Sequence, residues 1–173
     1  MSLPKHPAAV HFSITTTLLT GALDVAHFLF HYGPTSATAA SIYKILDIQL
    51  SPELFPLFSY YTTILTILFA VPAVMTGAAE LMPLIKRDGL GSRKAKIAIA
   101  HAMINDMTVL AAVFNWWTRR TTPMFMPTTT NILVSSMFAL PATMFAAHLG
   151  GSLVYNYGMG LRIGQAAKAK KGQ

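Results

Sequence analysis

The sequence has no cysteine among its 173 residues, which excludes disulfides, iron–sulfur clusters and thiolate metal sites. Charged residues are also scarce, at 11% of the chain, while 53% of residues are hydrophobic and the mean hydropathy is +0.49. A soluble domain usually carries about 25% charged residues. The composition therefore excludes an ordinary soluble domain and predicts an integral membrane protein.

Motifs of common enzymes are missing as well. The sequence contains no nucleotide-binding loop, no HExxH zinc motif, no nucleophile elbow and no pair of catalytic carboxylates, so it indicates no particular enzyme. The formal net charge is +7 and the pI is about 9.9. Because the basic residues lie between and after apolar runs, they favour contact with anionic lipid headgroups and not with nucleic acid.

Four apolar runs have the ~20 residues that a helix needs to cross a lipid bilayer. They cover residues 8–32, 58–82, 94–117 and 129–155. These runs predict an all-α integral membrane protein in which four transmembrane helices form one antiparallel bundle. A single domain over residues 1–160 would precede a basic tail at 161–173, and helical spacing within 35–56 predicts a short interfacial helix.

The basic residues are unevenly divided between the two predicted sides of the membrane. Ten of the thirteen Lys and Arg residues lie on the side of the two termini and the loop between the second and third spans. Only Lys44, Arg119 and Arg120 lie on the other side. By the positive-inside rule, both termini face the cytosol, or the matrix of a mitochondrion. This side is called inner below, and which membrane holds the chain is left open.

A weak repeat relates the second and fourth spans. Residues 70–78 and 139–147 share Ala, Pro, Ala, Met and Ala at the same spacing. Chance similarity in an Ala- and Met-rich sequence is one explanation. The other is a pair of pseudo-repeated helical hairpins, in which His11 and His101 occupy equivalent positions.

One ionisable residue from each span falls within roughly 10 Å of the inner boundary: His11, Glu80, His101 and His148. Ionisable groups inside a bilayer usually mark functional sites. Histidines on facing helices are a common way to hold haem iron in a bundle. The sequence therefore predicts His11 and His101 as axial ligands of a haem b, with His148 as the alternate ligand or a partner of a haem propionate. Asn105, one turn beyond His101, would orient its imidazole.

Other functions stay open. The same histidines would also serve helix packing in a non-catalytic accessory or assembly subunit of a larger membrane complex. A small transporter or proton conductor is the least favoured alternative. At the outer end, Asp24, His27 and His31 share one face of the first helix; a local hydrogen-bonded pair is the simplest interpretation, and a proton-relay step or an outer metal site are the others.

Several short motifs resemble a known family. They are His6-Pro7-x-x-Val10-His11-Phe12, Thr76-Gly77-x-x-Glu80, Ala100-His101 and Gly150-Gly151-x-Leu153-Val154-Tyr155. Over nearly its whole length the chain resembles the predicted membrane proteins grouped as domain of unknown function 2231, although Ser13 replaces the proline usual after Phe12. The resemblance implies four membrane helices and no settled activity. Relatives joined to c-type cytochrome or Rieske modules imply a redox setting, with other membrane redox subunits or a separate electron-carrier protein as partners; a homodimer also stays open.

Overall fold

The computed structural model describes residues 5–159, and within that range every regular element is a helix. Four helical stretches are long and apolar enough to cross a membrane: Ala8–His31, Pro52–Asp88, Arg93–Arg119 and Pro123–Tyr155. The predicted all-α bundle with four spans is confirmed. The predicted basic tail at 161–173 lies outside the described residues.

The first span is followed by a short helix on the outside of the bundle. Helix α1 (Lys5–His31) ends at the outer side, and α2 (Gly33–Ile45) begins almost at once, with a proline in its first turn. Proline suits that position because its fixed φ matches the helix and its missing N–H needs no partner there. No residue of α2 is buried. The Tyr43 ring packs edge-on against Phe30, at 5.2 Å between ring centroids, which holds α2 against α1.

The second and third spans form a hairpin that closes at the inner end. Helix α3 (Phe55–Asp88) ends at Gly89, whose φ of 72° is unfavourable for residues with a Cβ. Helix α4 (Arg93–Arg119) starts after Ser92, whose side chain accepts a hydrogen bond from a backbone N–H in the first turn. Such an N-cap stabilises a helix by about 1 kcal/mol.

The fourth span is divided by a π-helical segment. Helix α5 (Thr129–Met137) continues through Phe138–Ala142, which is π-helical, into α6 (Thr143–Tyr155). Pro141 lies in this segment, where a proline removes a backbone donor and crowds the preceding turn. Pro72, its counterpart in the sequence repeat, lies within the continuous helix α3. The two repeat units therefore differ locally.

The four spans pack around a square in which α1 and α4 occupy opposite corners. Helix α3 packs against both α1 and α4, and α4 packs against α6. Helix α1 packs against α5 and the π-helical segment but scarcely against α6. At the close crossing, a Cβ on Gly21 would lie 2.8 Å from the Cβ of Ala139, so a glycine is needed there.

The interior of the bundle is polar in its outer half. Thr, Ser and Asn side chains predominate among the buried residues there, together with Asp24 and Arg119, whereas many Leu, Met and Phe side chains point outward. This distribution suits a lipid environment, where apolar side chains gain little from burial and polar ones need partners. Arg119, which the sequence placed beyond the outer end of the third span, lies in this interior with no exposed surface.

Candidate functional site

Two histidines from opposite corners of the square meet at the inner end of the bundle. The rings of His6 on α1 and His101 on α4 have centroids 6.4 Å apart and stand nearly perpendicular, at 89°. Neither helix packs directly on the other, so each imidazole extends toward the other across the bundle interior. We call these two residues the inner histidine pair.

His6 rests against the small residues of α3. Its Nδ1 lies 3.0 Å from the Thr76 hydroxyl, at hydrogen-bond distance. A Cβ added at Gly77 would lie 2.9 Å from the imidazole, so the ring occupies the space that the glycine leaves. His6 precedes the apolar span that starts at Ala8. Burial lowers the pKa of His6, against an opposite effect from the backbone at Ala73, so the ring is neutral near pH 7.

His101 is seated in the same way on α6. Its Nδ1 lies 2.8 Å from the carbonyl oxygen of Ala146, and a Cβ on Gly150 would lie 3.0 Å from the ring. Asn105 donates its strongest hydrogen bond to the backbone carbonyl of His101, at 2.7 Å, and its amide nitrogen lies 3.3 Å from His101 Nε2. Asn105 therefore contacts the imidazole, as its position one turn away predicted.

The two seats follow one pattern. Each histidine lies beside an alanine and a glycine one turn apart on the next helix, Ala73 and Gly77 for His6, and Ala146 and Gly150 for His101. The matching alanines and the matching glycines of α3 and α6 are each 73 residues apart in the sequence. The sequence repeat has an offset of 69 residues, which is about one helical turn less. The structural counterpart of His101 is therefore His6, and the predicted equivalence of His11 and His101 was wrong.

The other predicted inner residues do not join this pair. His11 and His148 are exposed on their helices, and Glu80 is half-buried on α3. Sequence reasoning passed over His6 because it precedes the apolar run. The sequence did contain a signal for His6. His6 and Ser13 are seven residues apart, which places both polar side chains on one face of α1.

A second polar cluster at the outer end joins all four spans. Arg119 Nη1 lies 3.2 Å from Asp24 Oδ1, and both side chains are fully buried. Ser59 of α3 and Ser135 of α5 each donate a hydroxyl hydrogen bond to the Asp24 carboxylate. We call these four residues the outer joint. A buried ion pair is tolerated only where its remaining donors and acceptors are satisfied.

The other nitrogens of the Arg119 guanidinium also donate hydrogen bonds. Its Nη2 donates to the carbonyl of Pro56 at 2.9 Å, and its Nε donates to the carbonyl of Phe125 at 2.9 Å. The Phe125 ring stacks on Tyr60 with centroids 3.9 Å apart. To present that carbonyl, the loop holds Met124 and Phe125 at φ of 51° and 55°, the left-handed region that non-glycine residues rarely adopt.

A row of hydroxyls and amides extends inward from the outer joint. Thr20 and Thr62 lie 2.8 Å apart, and Thr66 donates to Thr16 at 2.9 Å. Beside this row is a cavity of about 20 Å³, lined mainly by α1, α4 and α5 with polar groups from Thr, Asn and Ser. The rest of the lining is apolar, and a cavity of this volume is large enough for one water molecule.

The sequence did contain a signal for the outer joint. His101, Asn105, Thr108, Asn115 and Arg119 follow one another on α4 at spacings of four, three, seven and four residues, which places them on one helix face. Such a polar face on an apolar span indicates a buried network. Counting Arg119 as a loop charge concealed it.

Residues 2–162 match the family model described as predicted membrane protein (DUF2231). The chain belongs to the DUF2231 family. No curated protein and no solved structure matches the chain. The motifs that carried the resemblance contribute to the inner histidine pair of this DUF2231 protein: they include His6, Thr76, Gly77, His101 and Gly150.

Proposed function

We propose that this protein is a membrane-embedded electron carrier, or the electron-carrying subunit of a membrane redox system, that holds a haem b between His6 and His101. The observation that carries the proposal is the inner histidine pair. Two imidazoles bound to opposite sides of one metal ion have centroids roughly 6 Å apart, since each metal–nitrogen bond is about 2 Å and each centroid lies about 1 Å behind its nitrogen. The observed separation is 6.4 Å.

The hydrogen bonds of the two rings support the same assignment. Each Nδ1 is within hydrogen-bond distance of an oxygen, from Thr76 for His6 and from Ala146 for His101. Such a bond fixes the ring orientation and the tautomer and directs Nε2 toward a metal. In His101 the Asn105 amide, 3.3 Å from Nε2, would have to release that nitrogen when a metal binds. Neutral imidazole is the form that ligates iron, and the lowered pKa of His6 favours it.

The residues around the inner histidine pair favour a metal whose other ligands come from a cofactor. Across residues 5–159, no group of three or more His, Cys, Asp or Glu side chains is arranged to hold a metal ion. A haem needs only two axial ligands because its porphyrin supplies four nitrogens. Helices α1 and α6 make few contacts with each other, which favours entry of a planar group between them. Bound there, a haem would supply reversible one-electron transfer.

The basic inner rim complements this site. Arg93 and Lys96 are exposed at the start of α4, on the same side of the bundle as His101. Their side chains suit haem propionates, as they suit lipid phosphates. We propose, from the distribution of Lys and Arg, that this rim faces the cytosol or matrix. The burial of Arg119 in the outer joint removes one basic residue from the opposite surface and strengthens that asymmetry.

An optical spectrum tests the proposal. Protein made in a haem-replete host and purified in detergent is expected to show a Soret band and a sharp α band on reduction with dithionite. His6→Ala and His101→Ala are expected to lose or shift these bands, whereas the matched exposed controls His11→Ala and His148→Ala retain them. A featureless wild-type spectrum would overturn the haem assignment and leave the accessory-subunit interpretation. Loss in His11→Ala but not in His6→Ala would restore the pair predicted from the sequence.

A further inference from the structure

A line of ionisable side chains leads from the outer surface to the outer joint. The side chain of Glu53 is 77% exposed and that of His31 is 43% exposed. His27 is only 5% exposed, and Asp24 has no exposed surface. Exposure therefore falls step by step from the surface to the buried carboxylate.

Neighbouring members of the line are close to one another. His31 Nε2 lies 3.9 Å from Glu53 Oε1, and the rings of His31 and His27 have centroids 4.2 Å apart. His31 Nδ1 lies 2.8 Å from the backbone carbonyl of His27, which fixes its ring and leaves Nε2 toward the surface. His27 and Asp24 are three residues apart and share one face of α1.

His27 has a buried ring nitrogen without a hydrogen-bond partner. Its Nδ1 is the one buried side-chain nitrogen or oxygen without a hydrogen-bond partner in the part of the chain that the structure describes. Buried polar atoms are paired in the great majority of cases, and an exception calls for a functional or chemical explanation. Imidazole changes its charge in the physiological pH range more readily than any other side chain.

The charges around His27 determine what a proton would do there. His31 and Asp24 face it from α1, Glu53 faces it from the 3₁₀ turn that precedes α3, and Arg119 faces it from α4. A cationic imidazole would be attracted by the two carboxylates and repelled by Arg119. It would also compete with Arg119 for Asp24, the only acid in the outer joint.

We propose that His27 is a proton-binding site, loaded from the outer surface past Glu53 and His31, whose protonation weakens the outer joint. One proton from water binds the imidazole nitrogen and returns to water on release, and no other bond changes. Because the joint connects all four spans, acidification on the outer side loosens the outer ends of the helices. This site is separate from the inner histidine pair and does not depend on a haem.

Hydrogen–deuterium exchange in lipid nanodiscs tests the proposal. Exchange is compared at about pH 8 and about pH 5, on either side of the ordinary histidine pKa of about 6.5, after correction for intrinsic rates. In the wild type, acidification is expected to increase exchange at the outer ends of α1 and α4 roughly fivefold or more, the lower range of a coupling between two sites. His27→Gln is expected to abolish this increase, and His11→Gln to retain it.

A second pair of variants covers the case in which His27→Gln does not fold. Glu53→Gln removes an exposed acid of the line, and Asp47→Asn removes a nearby exposed acid outside it. Glu53→Gln is expected to reduce the acid response because His31 and His27 lose an attracting charge, whereas Asp47→Asn leaves it unchanged. An acid response that persists in His27→Gln, is equal in Glu53→Gln and Asp47→Asn, or is absent from the wild type would overturn the proposal.

Discussion

The outer joint makes a strong prediction about stability. Replacing Arg119 with Gln removes the guanidinium that contacts Asp24, Ser59, Pro56 and Phe125. The Asp24 carboxylate would then keep only two hydroxyl donors while fully buried. Leaving one member of a buried ion pair without its partner costs about 3–5 kcal/mol. We expect a loss of that size for Arg119→Gln, and a similar loss for Asp24→Asn.

The double variant separates charge from hydrogen bonding. When Asp24→Asn and Arg119→Gln are combined, no charge is left unpaired and two amides face each other. We expect the double variant to be more stable than the sum of the single losses implies, with a coupling of at least about 2 kcal/mol. Ordinary hydrogen bonds between membrane helices average only about 0.6 kcal/mol. The size of the coupling therefore distinguishes an ion pair from an ordinary polar contact.

The assay is equilibrium unfolding in mixed micelles of a mild detergent and dodecyl sulfate, followed by circular dichroism and tryptophan fluorescence. Arg120→Gln is the matched control, because Arg120 is exposed and its guanidinium rests on the Trp117 ring, 3.1 Å from its centroid. We expect about 0.5–1 kcal/mol for that control. Single losses below about 1 kcal/mol at Asp24 and Arg119, or strict additivity in the double variant, would show that these two residues do not form a stabilising ion pair.

Three further outcomes follow from local geometry. Gly150→Ala should disturb the seat of His101 and lower stability by about 1–3 kcal/mol, whereas Gly151→Ala, which has open space around a Cβ, should be neutral or stabilising; detergent unfolding compares the two. Met124→Gly should raise stability by up to about 1 kcal/mol because it relieves a left-handed residue, and Met126→Gly should not. Because burial lowers the pKa of His6, the neutral ring contributes its full stabilisation above about pH 6.5, and this stabilisation is lost as the pH falls further. Hydrogen exchange at the inner ends of the helices should therefore increase less on acidification in His6→Asn than in the wild type.

The general fold follows from the sequence because lipid imposes simple requirements. A span must be long, apolar and helical, so run length alone located the four helices to within a few residues at most ends. The outermost turns were harder to place. Lys5 and His6 extend α1 beyond its apolar run, and α3 continues past Pro83 to Asp88, because a helix can extend into the headgroup layer without an apolar sequence.

The inner histidine pair was less predictable because the depth of a residue in the membrane does not determine the direction in which its side chain points. His11 and His101 lie at similar depths, but residues five apart on a helix, such as His6 and His11, point in directions that differ by more than a quarter turn. Only the packing of α1 on α3, which seats His6 beside Gly77, decides which of the two reaches the interior. The contacts of His101 on α6 also lie one helical turn beyond the position that the sequence repeat predicts.

The outer joint also constrains the order in which the protein assembles. Asp24 lies 95 residues before Arg119, so during synthesis the first span enters the bilayer long before its cationic partner exists. A charged residue opposes insertion by about 2.5–3.5 kcal/mol at the centre of a span and by less near its end, and the apolar remainder of α1 must offset this cost. Ser59, on the next span, is the earliest donor available to the carboxylate. We therefore expect the first two spans to pair before the third span supplies the charge that neutralises Asp24.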